Sequence, residues 1–273
     1  MSDNTVRSFS GDTDRYSVGL YSIIGSRKGQ QDYAAVYGND NDVLGILCDG
    51  MGGMEAGDRA SSGAAAKLID AYKVRDIRIP VPQFFRDSAL RINAEISSLK
   101  NSHGKRLDTG TTLLAVSLTG NLLYWLSVGD SRIYVLRGKD IVQVNREHNY
   151  REKLNEDLHA GRITRVKYDS EIGTRRAEAL TSYIGIPVLE LMEINQKPFK
   201  MQPGDMVLLC SDGLYRSLRN DQILALANDN EIDLDIAADR LCEMALHYGG
   251  ASQDNTTVLI IRYNGETENL NKM

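Results

Sequence analysis

Three apolar runs in this chain end in an aspartate beside a glycine: Val43-Leu-Gly-Ile-Leu-Cys-Asp49-Gly50, Leu126-Ser-Val-Gly129-Asp130 and Val207-Leu-Leu-Cys-Ser-Asp212-Gly213. Taken singly, each reads as a turn, because Asp-Gly is a favoured hairpin connection. Two further aspartates sit comparably, Asp32 behind Gly29-Gln-Gln and Asp254 in Ser252-Gln-Asp254-Asn255 ahead of a β-rich run. If these ends converge, five carboxylates share one cleft. Like charges that close raise one another's pKa and repel unless divalent cations neutralise them. Oxygen-only ligands select hard ions such as magnesium or manganese. Two such ions about 4 Å apart hold and deprotonate a bridging water and polarise a phosphoryl oxygen. The glycines after Asp49 would let a backbone carbonyl reach an ion without interference from a Cβ. Hydrolysis with two metals is the most economical use of the five aspartates.

Three other readings compete. Cys210-Ser-Asp-Gly-Leu-Tyr-Arg216 has the Cys-x5-Arg spacing of phosphatases that attack with a thiolate. A nucleophilic cysteine needs an electropositive loop to depress its pKa. Asp212 inside that loop would repel both thiolate and phosphate, so Cys210 reads better as a buried strand residue. Gly50-Met-Gly-Gly53 ahead of a helix could offer backbone N–H groups to a nucleotide phosphate. The chain has neither a G-x-x-x-x-G-K-[ST] nor a G-x-G-x-x-G pattern, and Asp49 and Glu55 would oppose an anion. The third alternative is a catalytically weak or inactive scaffold of the same fold.

The elements that must position these residues are legible as two periodicities. Helical stripes run Ala60, Ala64, Leu68, Tyr72, then Phe85, Ala89, Ile92, Ile96, Leu99, and later Leu234, Ala238, Leu241, Ala245, Tyr248. Each has one apolar face and must pack on something flat. Between them lie short β-rich runs: Leu113–Leu118, Leu122–Val128, Ile133–Leu136 and Ile141–Val144. Turn signals separate them at Thr119-Gly120-Asn121, Gly129-Asp130-Ser131 and Arg137-Gly138-Lys139-Asp140. Connections this short join antiparallel neighbours. Val18–Ile24, Val43–Cys48, Met206–Cys210 and Thr256–Arg262 add further strands. With helices in pairs and no βαβ alternation, the reading is antiparallel sheets covered by helices. Residues 149–175 are highly charged and weakly periodic, and read as a flap-like surface insertion with one short helix and a mobile loop.

At 273 residues, 42% hydrophobic and 25% charged, the chain has the composition of one large soluble domain with a substantial core. The domain is expected over residues 15–263, between polar segments at 1–14 and 264–273. With 32 Lys+Arg against 37 Asp+Glu the net charge is −5, which gives no general attraction to nucleic acid or anionic membranes. No apolar run approaches the ~20 residues of a membrane span, and the polar first ten residues lack the apolar stretch of a secretory signal. Three cysteines without a CxxC pair argue against a disulfide framework. A reduced, cytoplasmic, monomeric chain is the expectation.

Read together, the segments resemble the metal-dependent serine/threonine protein phosphatases of the type 2C (PPM) family, in order, from Arg27 to Ile261. Arg27-Lys-Gly-Gln-Gln-Asp32 is similar to the family's R-x-x-N-x-D segment. Cys48-Asp49-Gly50-Met-Gly-Gly-Met-Glu-Ala-Gly-Asp-Arg-Ala-Ser61 is similar to its D-G-M-G-G…A-G-x-x-A-S signature. Asp108-Thr-Gly-Thr-Thr112, Val128-Gly-Asp-Ser-Arg132, Leu180-Thr-Ser-Tyr-Ile-Gly185, Ser211-Asp-Gly-Leu214 and Asp254-Asn-Thr-Thr257 complete the series.

The resemblance implies an α+β fold, a four-layer α-β-β-α sandwich of two antiparallel sheets flanked by helix pairs. It also implies two or three Mn2+ or Mg2+ ions. Asp49 would bridge two of them, Gly50 would offer its carbonyl, and Asp212 and Asp254 would complete that site. Asp130 with Asp212 would form a third, weaker site. Arg27 would clamp the substrate phosphate and Asp32 would act in the outer shell. The implied substrates are phosphorylated proteins, with a Ser/Thr protein kinase in opposition. Gln31 stands where many members carry Glu, Tyr215-Arg216 where Trp-Asp or Thr-Asp is more usual, and Met51 where eukaryotic members carry His.

Overall fold

The computed structural model describes residues 5–9, 15–39, 41–229 and 231–266. Its strands and helices are, in order, β1 (Thr5–Phe9), β2 (Tyr16–Ile23), β3 (Asp32–Asn39), β4 (Asp42–Gly52), α1 (Met54–Lys73), α2 (Val81–Ile96), β5 (Thr109–Thr111), β6 (Leu113–Thr119), β7 (Leu122–Val128), β8 (Arg132–Arg137) and β9 (Asp140–Gln143). There follow α3 (Tyr150–His159), α4 (Arg165–Glu171), β10 (Glu193–Ile194), β11 (Phe199–Lys200), β12 (Met206–Cys210), α5 (Asp212–Tyr215), α6 (Asn220–Ala227), α7 (Leu234–Gly249) and β13 (Thr256–Tyr263). One sheet has the order β1-β3-β4-β6-β7-β10, with β5 beside β4 and β11 beside β7; the other runs β2-β13-β12-β8-β9.

Strict alternation along the strands explains the stacking. In β4, Leu44, Ile46 and Cys48 face α1 and α2, in one cluster with Ala64, Leu68, Phe85 and Ile92. The alternate residues Val43 and Leu47 meet Val207, Leu209, Leu259 and Ile261 of the opposite sheet. In β13 the other register, Val258 and Ile260, packs with Ala238, Leu241 and Ala245 of α7. The central strands are therefore apolar on both faces, which is why they read as continuous runs. The result is the four-layer α-β-β-α sandwich.

Four features depart from the sequence reading. Gly129-Asp130-Ser131 does not turn a hairpin: β7 lies in the first sheet and β8 in the second. Gly129 takes φ +107°, and a Cβ there would stand 2.6 Å from the Thr112 side chain, so the chain leaves its sheet where glycine is needed. The outer turns, between Thr119 and Leu122 and between Arg137 and Asp140, do join antiparallel neighbours.

Within the N-terminal segment assigned to a loose tail, Thr5–Phe9 pairs parallel with β3, so the first sheet is antiparallel except at this edge. Five residues with two apolar members give no alternation to read; backbone pairing to an open edge decides. The remainder of that segment, 1–4 and 10–14, and residues 267–273 of the expected tail lie outside the described residues. The charged insertion carries two helices rather than one: Asn149 accepts from the Glu152 N–H at 2.9 Å to cap α3, and Thr164 caps α4.

Gly45 sits between Val43 and Leu47 on the face where the sheets meet, and a Cβ there would come within 2.9 Å of Ile261 and 3.0 Å of Leu259. Gly45→Val should overpack that layer and cost about 1–3 kcal/mol. An unchanged urea midpoint would show that the sheets are not in this register.

Candidate active site

Strand ends bring the acids together. In the second sheet Cys210 lies opposite Val258 on one side and Arg132 on the other, so β12 ends where β13 and β8 begin. Asp212, Asp254 and Asp130 thus fall on one edge. Ile23 pairs with Thr256, and the chain leaving β2 carries Arg27 past the same edge. In the first sheet Asp32 is the cross-strand partner of Asp49, and Gly50 that of Thr111. Between these ends lies a cavity of about 590 Å³ whose lining includes Arg27, Asp49, Gly50, Asp130, Asp212 and Asp254.

The backbone under each ligand candidate is tied down. The Asp49 N–H donates to Thr112 Oγ1 at 2.8 Å, and its carbonyl accepts from the Thr112 N–H at 2.8 Å and the Thr111 hydroxyl at 2.9 Å. A Cβ on Gly50 would stand 2.3 Å from the Gly57 carbonyl oxygen and 2.7 Å from that of Gln31. Only glycine lets β4, α1 and the Gln31 loop close together there.

Asn255, which the sequence reading passed over, fastens the other side. Its side chain donates to the carbonyls of Ile24 (2.8 Å) and Gly29 (3.1 Å) and accepts from the Gln31 N–H (2.9 Å), while its own N–H donates to Asp254 Oδ1 (2.8 Å). Arg27 donates to the second Asp254 oxygen. Asp32 is buried behind the cavity and accepts from the hydroxyls of Ser211 (2.7 Å) and Thr257 (2.8 Å). It backs the cleft without lining it, as an outer-shell residue would.

Burial is the largest influence on Asp32, Asp49, Asp130 and Asp212. It raises Asp32 and Asp130 from the usual 3.8 to about 7, and the neighbouring aspartates add to it. Asp49 is driven well above the normal range by burial and then by the charges of Asp32, Asp212, Asp130 and Asp254. Asp212 is also raised by burial, although Arg216 pulls it back. Among the described residues no three acidic, histidine or cysteine side chains already stand as a closed metal site. The carboxylates turn instead to Arg27 and Arg216. A set of oxygen donors that burial and mutual repulsion hold against ionisation fits hard divalent cations, which supply the missing positive charge.

The thiolate alternative fails on position. Cys210 is fully buried in the layer between the second sheet and α7, outside the cavity, and burial pushes its thiol up to about 12. Arg216 points to Asp212 at 3.1 Å and to Glu178 at 3.3 Å. Glu178 follows the charged insertion and also lines the cavity. A glutamate in a run of charges carries no local signal of such a role.

An acid with a raised folded-state pKa binds its proton more tightly folded than unfolded. Its contribution to stability is therefore present at low pH and lost as pH rises through about 7. His148 acts oppositely, since burial lowers it to about 4, but its contribution is complete above pH 6.5. The melting temperature of metal-stripped protein should fall from pH 6.5 to 8, and added Mn2+ should raise it most at pH 8. A melting temperature indifferent to Mn2+ at pH 8 would contradict a cation site among these acids.

The family described as protein phosphatase 2C matches residues 21–233. The serine/threonine phosphatase stp of Listeria monocytogenes is 30% identical over 239 residues, 86% of this chain and 90% of that protein. PstP of Mycobacterium tuberculosis, a serine/threonine protein phosphatase, is 33% identical over 78% of this chain, which spans 39% of PstP. Among solved structures, the S. agalactiae serine/threonine phosphatase superposes with a TM-score of 0.78 at 27% identity, covering 91% of this chain and 99% of that one. The PstP catalytic domain in complex with two manganese ions gives 0.67 at 26% identity, over 91% and 98%. The match spans most of the chain, and the chain belongs to the protein phosphatase 2C family.

Proposed function

We propose that this chain hydrolyses phosphoserine and phosphothreonine esters in proteins, with Mn2+ or Mg2+ held by Asp49, the Gly50 carbonyl, Asp212 and Asp254. The observation that carries this reading is the meeting of four aspartates from separate strand ends with Arg27 in one cavity. Bound divalent ions supply Lewis acidity there, making water nucleophilic at neutral pH and drawing charge from the phosphoryl oxygens.

The chain's own residues do the rest. Arg27 offers a planar fork of N–H donors that suits two phosphate oxygens. At 59% exposed it can follow a ligand entering from solvent. Asp32 accepts two hydroxyl hydrogen bonds behind the cleft and, as the cross-strand partner of Asp49, holds a second negative charge near the ions. Attack on phosphorus breaks the P–O bond to the serine or threonine oxygen, which leaves as an alkoxide and must gain a proton. Met51 lines the cavity without an ionisable proton, and we take solvent water as the donor.

The relatives' names support phosphoproteins as substrates, and a Ser/Thr kinase acting on the same proteins is the natural opposing activity. No helix among the described residues is long and apolar enough to cross a membrane. We take the enzyme to work as a monomer in the cytoplasm.

EDTA should abolish activity on a phosphopeptide and Mn2+ or Mg2+ should restore it. Asp49→Asn and Asp212→Asn should each be nearly inactive, while Cys210→Ser keeps most of its activity. Activity that survives EDTA but not Cys210→Ser would overturn the metal reading.

Arg27→Ala should raise KM and lower kcat/KM with little change in metal affinity. Arg27→Lys should recover only part of the loss, because a point charge lacks the two-pronged contact. Wild-type kinetics in Arg27→Ala would return Arg27 to an ordinary surface ion pair.

A further inference from the structure

The two arginines at the cleft differ in how they are held. Arg27 is 59% exposed and pairs with Asp254 alone among the ion pairs of the described residues. Arg216 pairs with three carboxylates at once: Asp212 at 3.1 Å, Glu178 at 3.3 Å and Asp130 at 3.7 Å. Its reach to Asp212 is set by the chain, since the two residues are four apart across the single turn of α5.

That turn is pinned. The Tyr215 hydroxyl donates to the Asp130 carbonyl at 3.1 Å, and the Arg132 guanidinium lies 3.6 Å over the Tyr215 ring. From the far side, Arg151 at the start of α3 grips Glu178 through two N–H groups. A charge sequence therefore runs Arg151, Glu178, Arg216, then Asp130 with Asp212. Each acid is flanked by a cation, and each cation but the outermost by acids.

We infer that the Arg216 guanidinium is the resident cation of the outer end of the cleft, filling the place between Asp130 and Asp212 that a third divalent ion would otherwise take. The inference rests on the metal reading of the inner end, where, among the described residues, no ion pair ties a cation to Asp49. Its electrostatic logic is substitution. A fixed positive charge between two carboxylates relieves their repulsion, so it both removes the attraction for an ion and repels one. The resemblance assigns Asp130 to a third metal; in this chain Arg216 makes Asp130 a positioning residue for the guanidinium. Arg216, not Asp130, then sets how many ions the cleft holds.

The test counts Mn2+ bound to the metal-stripped full chain at pH 7.5 without substrate, by calorimetry and by the EPR signal of free Mn2+. Wild type should bind two ions, Arg216→Ala three, with the added one weakest, and Arg216→Ala/Asp130→Asn two again. Asp130→Asn alone should still bind two, an arm that stands even if Arg216→Ala fails to fold. Three ions in wild type falling to two in Asp130→Asn would overturn the inference, as would two ions in both wild type and Arg216→Ala. Wild type binding no ions would mean instead that the two-metal reading itself had failed, and the inference with it.

Discussion

An aspartate on a fully paired central strand, with other carboxylates facing it, ionises only against a repulsion that neither bulk water nor the strand ladder relieves. Asp49 is in that position, and its surroundings follow from the repulsion. Its backbone is locked by Thr111 and Thr112, so the carboxylate cannot swing away. Gly50 and Gly129 let the chain pass where side chains would collide, which keeps the acids close instead of letting the edge splay. Asp32 is anchored by Ser211 and Thr257 from the second sheet, so the two sheets share the electrostatic load. A protein that gathers like charges so firmly is built around a cation.

The stacking of two sheets is what makes the gathering possible. Within one sheet, consecutive strand ends alternate between opposite edges, and hairpins alone would scatter the acids. Asp130 reaches the site because the connection after β7 leaves its sheet and starts β8 in the other. Arg216 then adds a local solution to the same problem, with a guanidinium paired to acids from α5, the β7–β8 connection and the segment just after the insertion.

Much of this was legible in the sequence, for reasons that differ by residue. Strands such as Leu122–Val128 and Met206–Cys210 appear with their full bounds because apolar runs, broken only at Ser127, leave one reading. β3 was hidden, because Asp32 at its head and Gly38 near its end look like loop punctuation around Ala34, Ala35 and Val36. Asp49, Gly50, Asp130, Asp212 and Asp254 were legible as strand-end acids and glycine, and the cavity contains them all. Their meeting was not: convergence depends on sheet order and on the crossing at Gly129, and neither leaves a local trace. Asn255 and Glu178 were invisible for the same reason, since most of their partners lie more than twenty-five residues away in sequence.

The bond between Arg27 and Asp254 has one more consequence. The guanidinium that would grip a phosphate is, in this structure, committed to a carboxylate that would grip an ion. It cannot do both. Asn255 fastens the backbone on either side of that bond, so what separates the pair is rotation of the exposed Arg27 side chain. If the proposed roles hold, ion loading and substrate capture are linked through this one pair. On the proposed reading, an ion at Asp254 would release the guanidinium for phosphate, so the chain would take up its metal before its substrate.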